Sequence, residues 1–178
     1  MPQILKDLIL ISVFLLVILM FSTMIINLFF TKAPYVPSSK KILDNLLEDL
    51  KLKPKQKVYD LGCSDGRFLI RAEKKFGIQG IGYELAPLPF LLAQVLLFFT
   101  HSKSQVYLGN FFKQDLSQAD IIFCYLFPEI VTAAYHKAVK ECQKGTIFIS
   151  NTFSVKDVQP DRIIYNEKKQ PQLFFYYL

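Results

Sequence analysis

Between Leu8 and Phe30 the chain runs 23 residues without a charge, and Ser12, Ser22, Thr23 and Asn27 are its only polar positions. A helix of that length rises about 34 Å, enough to cross a bilayer core with some tilt, and it satisfies its own backbone. The stretch exceeds the apolar core of a cleavable signal peptide, and Thr31-Lys32-Ala33-Pro34 is a poor cleavage site. It also lacks the polar face of an interfacial helix. One transmembrane helix is expected. Lys6 stands beside Asp7 on its N-terminal side, whereas Lys32, Lys40, Lys41, Lys51, Lys53, Lys55 and Lys57 follow it. The positive-inside rule then places the rest of the chain in the cytoplasm, as a single-pass membrane protein.

Beyond a proline-bounded linker, Ala33 to Pro37, the pattern changes. Ser38 or Ser39 can cap a helix in which Ile42, Leu43, Leu46, Leu47 and Leu50 share one face and Asp44, Glu48 and Asp49 the other, ending before Pro54. Strand and helix then alternate. Strands are expected at 57–61, 79–85, 106–108, 120–126 and 146–150, and helices at 67–76, 87–100 and 128–142, the last opened by Pro128. Arg162 to Tyr165 and Leu173 to Leu178 read as a closing antiparallel pair at the sheet edge. Such alternation implies right-handed crossovers and a doubly wound, mostly parallel α/β sheet. The expected organisation is an anchor at 1–32, a linker and preceding helix at 33–54, and the folded domain at 55–178.

One helix is unusual. Phe90, Leu91, Leu92, Val95, Leu96, Leu97, Phe98 and Phe99 crowd a segment too short to span a bilayer. Core burial is the ordinary fate of such a helix; contact with a membrane surface or a partner is the alternative.

Composition narrows the function. The formal charge is +6, but only Arg67, Arg71 and Arg162 of the 21 basic residues are arginines, and the lysines are scattered. A nucleic-acid binder would cluster its cations among aromatics, so no nucleic-acid partner is expected; solvated faces or an anionic membrane surface suit these lysines better. Cys63, Cys124 and Cys142 form no CxxC pair, and His101 and His136 have no HExxH spacing. Neither a disulfide framework nor a metal site is expected, and a reducing compartment fits.

The chemistry concentrates in the turn after the first strand, where Asp60, Gly62, Ser64 and Gly66 alternate before a helix. Glycine permits the sharp turn and a close ligand, and the helix directs free N–H groups into the crevice beyond the strand ends. Neither GxGxxG nor GxxxxGK[ST] is present, and Asp60 and Asp65 would repel a phosphate. Two carboxylates suit a ligand carrying an amine and a sulfonium, as S-adenosylmethionine does. Glu84, 24 residues after Asp60, ends the next strand, where an acid can accept both hydroxyls of a ribose. An α/β domain holding another nucleoside, or no ligand, is the plainer alternative.

Asp60-Leu61-Gly62-Cys63-Ser64-Asp65-Gly66-Arg67 and Gly82-Tyr83-Glu84-Leu85 resemble the first two motifs of class I, seven-strand, Rossmann-like methyltransferases, over residues 55–150. Pro34-Tyr35-Val36-Pro37 and Leu126-Phe127-Pro128 extend the resemblance to small membrane-anchored protein-lysine methyltransferases, related to the enzymes that modify the ATP synthase c-subunit and the adenine nucleotide translocase. The resemblance implies S-adenosylmethionine as cofactor. Asp60, Gly62, Ser64, Asp65 and Gly66 would surround its methionine half, Glu84 its ribose, and Leu85 and Asn110 its adenine. Tyr35, Tyr125 and Phe127 would line the acceptor channel. Three positions depart from the family pattern: Ser64 replaces a glycine, Ala86 a polar residue and Asn110 an acid. The implied activity is methylation of lysine in a membrane or membrane-associated protein. Methylation of a lipid or small lipophilic acceptor, and a catalytically inactive tethered binding module, are the alternatives.

Overall fold

The computed structural model describes residues 2–30, 43, 46–48, 50 and 52–178. The chain divides into two units, Met1–Pro34 and Tyr35–Leu178.

In the first unit α1 runs from Gln3 to Phe30, 28 residues. Side chains along it are described at 3–19 and 22. Its described large apolar side chains, Ile4 to Leu19, are all exposed. Among the described residues no helix is long and apolar enough to cross a membrane. The span expected at 8–30 therefore extends past the side chains the structure describes.

The second unit is a seven-stranded sheet with helices on its faces. Its strands are β1 (Lys57–Leu61), β2 (Gln79–Glu84), β3 (Gln105–Leu108), β4 (Ile121–Cys124), β5 (Ile147–Asn151), β6 (Arg162–Tyr165) and β7 (Pro171–Tyr177). The helices are α2 (Arg67–Phe76), α3 (Pro87–Thr100) and α4 (Pro128–Glu141), with one 3-10 turn at Phe111–Lys113. Sheet order is β3-β2-β1-β4-β5-β7-β6. The first five strands are mutually parallel, as crossover helices require. The closing pair is antiparallel, and β7 inserts between β5 and β6 instead of lying outermost. Order reverses at β1, whose neighbours are β2 and β4. A ligand crevice is expected beyond the carboxyl ends there.

Two apolar layers hold the sheet. Val58, Leu69, Ala72, Phe123 and Ile149 pack on one side, together with Leu43, Leu46 and Leu47, which are helical and buried. Ile42, Asp44 and Asp49 lie outside the described residues, as do the linker 33–37 and both capping candidates, Ser38 and Ser39. Tyr59, Leu61, Ile122, Val131, Ala134, Phe148 and Tyr176 fill the other layer. The strand β4 is buried throughout, which explains its unbroken apolar run.

The expectation of core burial for the apolar helix is corrected. Helix α3 buries only Ala93 and Leu97. Leu88, Leu91, Leu92, Val95, Phe98 and Phe99 are exposed. The sheet is covered on one stripe of the helix, and nothing described covers the other.

Glu73 of α2 fastens the loop after α3. Its carboxylate accepts from Ser102 Oγ, from the Lys103 N–H at 2.7 Å, and from the Ser104 N–H and Oγ at 2.8 and 2.7 Å. Burial alone would raise its pKa, but the hydrogen bonds from Ser102, Ser104 and Lys103 outweigh it and hold the carboxyl below its usual value. Such a group stabilises the fold above its unfolded pKa, and that contribution fades as pH falls through the folded value. Glu73→Ala strands these donors and is expected to cost about 2–3 kcal/mol in urea unfolding at neutral pH, with a smaller difference in acid.

Candidate functional site

Strand β1 delivers Asp60 and Leu61 to the point where sheet order reverses, and the chain then turns sharply. Gly62 has φ 79°, Ser64 φ 53° and Gly66 φ 72°. The turn is pinned from β2: the Gly62 and Cys63 N–H groups donate to the Tyr83 carbonyl at 2.9 and 3.1 Å. At Gly62 there is no room for more, since an added Cβ would stand 2.8 Å from Leu126 Cδ2. Leu126 therefore packs directly on the turn, a contact that alternation along the strand does not announce.

Glu84 is the clamp. Its Oε2 accepts from the Ser64 N–H at 2.8 Å and its Oε1 from the Ala86 N–H at 2.8 Å. One carboxylate thus binds the first turn to the start of α3. Each oxygen keeps one acceptor site for a ligand hydroxyl. The departure at Ala86 removes no contact here, because its backbone does the donating.

Asp60 is 4% exposed, and no hydrogen-bond donor reaches its carboxylate among the described residues. Burial first, then the Glu84 and Asp65 carboxylates, push its pKa well above the usual range. A buried acid without a donor awaits a cation. Asp65 differs. It is gripped by Arg67, whose Nε reaches both carboxylate oxygens at 2.9 and 2.8 Å and whose Nη2 also contacts Oδ2. The two acids that the turn brings together are therefore unequal: Arg67 already compensates one of them.

Ser64 adopts the left-handed backbone that glycine takes without strain, and its Oγ is buried with no hydrogen-bond partner among the described residues. A non-glycine residue in that conformation costs roughly 1–2 kcal/mol. Ser64→Gly is accordingly expected to raise stability by about 1 kcal/mol in urea unfolding, while the backbone N–H that Glu84 holds remains.

The remaining positions follow the strand ends. Leu85 is 49% exposed beside Glu84. Asn110 uses its Oδ1 to cap the 3-10 turn, accepting from the Phe112 N–H at 2.9 Å. That leaves its amide nitrogen and one further acceptor site, and asparagine before a short turn is a capping signal readable in advance. Tyr125 and Phe127 are half-buried after β4, with Phe127 preceding α4. Tyr35 lies outside the described residues. Asp60, Ser64 and Glu84 are joined through one turn, and Leu85, Asn110, Tyr125 and Phe127 sit at or just beyond the carboxyl ends of β2, β3 and β4.

The chain was compared with known proteins. The sequence model of the ANTKMT methyltransferase domain matches residues 60–162. A protein-lysine N-methyltransferase of Saccharolobus islandicus is 31% identical over 134 residues, 74% of this chain and 83% of the relative. The adenine nucleotide translocase lysine N-methyltransferase of Mus musculus is 26% identical over 135 residues; the match covers 75% of this chain and 58% of that protein. Among solved structures, an RNA methyltransferase from Salinibacter ruber in complex with S-adenosyl-L-homocysteine has a TM-score of 0.74 at 26% identity, covering 80% of this chain and 93% of that one. With its sheet order and its Glu84-clamped turn, the chain belongs to the ANTKMT methyltransferase domain family and is an S-adenosylmethionine-dependent methyltransferase.

Proposed function

We propose that this protein methylates a lysine of a membrane or membrane-associated protein, working from a single N-terminal span with its catalytic domain, residues 55–178, on the cytoplasmic face. The buried, donor-free Asp60 carboxylate beside the Glu84 clamp carries the cofactor assignment. The lysine acceptor is supported by the two relatives named as protein-lysine and translocase lysine methyltransferases. The RNA methyltransferase from Salinibacter ruber is a likeness at 26% identity, below the 31% of the Saccharolobus relative, and the scattered lysines here do not favour a nucleic-acid track. The span is supported by the 23 uncharged residues at 8–30, by exposed side chains along α1, and by the lysines that follow.

The residues fit the cofactor. Bound there, S-adenosylmethionine supplies an electrophilic methyl group on a cationic sulfur that leaves as a neutral thioether. Asp60 would take the amine of the methionine half, while the N-terminus of α2 favours its carboxylate. Glu84 would accept the ribose hydroxyls with its two spare acceptor sites. Leu85 offers an apolar face to the adenine and Asn110 polar groups to its edge. Tyr125 and Phe127 present aromatic faces at the end of β4, where an ammonium is attracted and dehydrated. Desolvation near a cation lowers the pKa of an incoming lysine and favours the neutral amine that attacks. Alignment and exclusion of water do the rest. No general base is assigned.

The raised Asp60 pKa gives this reading a pH signature. Burial and the neighbouring carboxylates favour the protonated carboxyl, and a cationic amine beside it would favour the charged form. Binding is expected to release a proton and to tighten as pH rises, levelling off above the Asp60 pKa. Folding carries the opposite linkage: a raised acid contributes stability at low pH that is lost as pH rises through its folded value.

To test the acceptor, membrane fractions of cells with and without the gene would be digested and searched by mass spectrometry for methyl-lysine. A site lost on deletion and restored by the parent protein, but not by Glu84→Ala, is expected. No such site, with methylated lipid lost in its place, would favour the lipophilic-acceptor alternative.

A further inference from the structure

Helix α3 leaves a face that the methyltransferase reading does not use. Leu88, Leu91, Leu92, Val95, Phe98 and Phe99 recur at i, i+3, i+4, i+7, i+10 and i+11, so they form one stripe. Phe98 and Phe99 at its end are 74% and 73% exposed. Contiguous apolar surface of this kind, on the order of several hundred Å², marks a place where something binds. The charges along the helix and the chain after it are selective, and the Glu73 carboxylate that reaches the loop after α3 is taken up by Ser102, Lys103 and Ser104. From Leu85 to Gln114, 30 residues, the chain holds Lys103 and Lys113 and not one acid. Helix α3 itself carries no charge. At 14 residues it is too short to cross a bilayer.

We propose that this face lies on the surface of the bilayer, its leucines and phenylalanines in the interfacial region and Lys103 and Lys113 against anionic headgroups. The inference rests on the reading that the protein works at a membrane. An uncharged apolar stripe whose own stretch of chain brings lysines and no acid is the complement of an anionic lipid surface. A tether such as the span proposed for α1 keeps the local lipid concentration high, so a weak contact suffices. Helix α3 begins three residues after Glu84, which accepts from the Ala86 N–H at its start. Docking α3 therefore fixes the clamp, and the crevice beside it, relative to the membrane. It restricts acceptors to lysines at a set height above the bilayer.

The chain contains no tryptophan, which makes the test direct. Phe98→Trp places one indole in the stripe, Phe99→Trp is a second reporter, and Tyr165→Trp, exposed on β6, is the control. Each full-length variant is reconstituted into vesicles of phosphatidylcholine and phosphatidylglycerol and checked for S-adenosylmethionine binding and for sedimentation with the vesicles. Blue-shifted emission from the α3 reporters, quenched by lipids brominated near the headgroup and absent from the control, is the expected result. Sedimentation with the vesicles but solvent-like, unquenched emission would overturn the α3 proposal and leave the membrane reading standing. Blue-shifted emission that brominated lipid does not quench would also overturn it, in favour of a protein partner or a second copy. Failure to sediment at all would overturn the membrane reading and this inference with it.

Discussion

Replacing Glu84 by alanine is expected to weaken S-adenosylmethionine binding at least ~100-fold, about 2.7 kcal/mol. Two losses combine. Among the described residues the side chain is the only acceptor for the Ser64 and Ala86 N–H groups, and each stranded donor costs about 1–3 kcal/mol if it stays buried. The same oxygens carry the spare acceptor sites assigned to the ribose. Glu84→Gln keeps the length but turns an NH2 group toward one of the two donors, so it is expected to bind better than the alanine variant and worse than the parent. Calorimetric titration measures both, with circular dichroism confirming the fold. Parent-like affinity in a folded Glu84→Ala protein would remove Glu84 from the site.

Gly82→Ala is expected to be strongly destabilising. An added Cβ would meet Cys63 Sγ at 2.6 Å, Cys63 Cβ at 2.9 Å and Leu69 Cδ1 at 3.0 Å. Gly82 pairs with Asp60 on one side and Val106 on the other, so neither the strand nor its neighbours can step aside. Overpacking of this kind costs about 3 kcal/mol, and a shift in Tm of roughly 6–12 °C follows for a domain of this size. Any relief must come from Cys63, which lies in the cofactor turn, so cofactor affinity is expected to fall as well. Cys63→Ala removes the closest atom, and the double variant is expected to recover part of the stability. Urea unfolding of the four proteins closes that cycle.

Much of this domain was legible because its local signals agree. The spacing of glycines after Asp60, proline at the first turn of α3 and α4, and period-two or continuous apolar runs place β1, α2, α3 and α4 within a residue of their ends. The crevice followed from alternation alone, since a parallel sheet with one reversal has its opening there. Other features depend on tertiary partners. Asp65 and Arg67 read as two residues of a turn, and only the folded turn shows Arg67 gripping the acid. The Leu126 contact with Gly62 joins residues 64 positions apart and has no periodic signature. The insertion of β7 between β5 and β6 is a choice of pairing that hairpin residues do not reveal. Helix α3 misled for a physical reason: apolar composition reports dislike of water, and a core is only one of the places that satisfies it.

Ser64 shows where a departure from a family pattern becomes a physical statement. Its backbone sits at the φ a glycine would take, and its hydroxyl has no partner among the described residues. The turn keeps its shape because the Ser64 N–H is held by Glu84. Asn110 likewise retains a capping role that an acid would also fill.

The central claim is that the crevice at β1 and β2 binds S-adenosylmethionine through Asp60 and Glu84. Titration of the full-length protein with S-adenosylmethionine, repeated in buffers of different ionisation enthalpy, tests it most directly. The account predicts saturable binding, coupled to proton release at pH values below the raised Asp60 pKa, and loss of that coupling in Asp60→Asn. A well-folded parent that binds no S-adenosylmethionine, or binds it with no difference between the parent and Asp60→Asn, would contradict it.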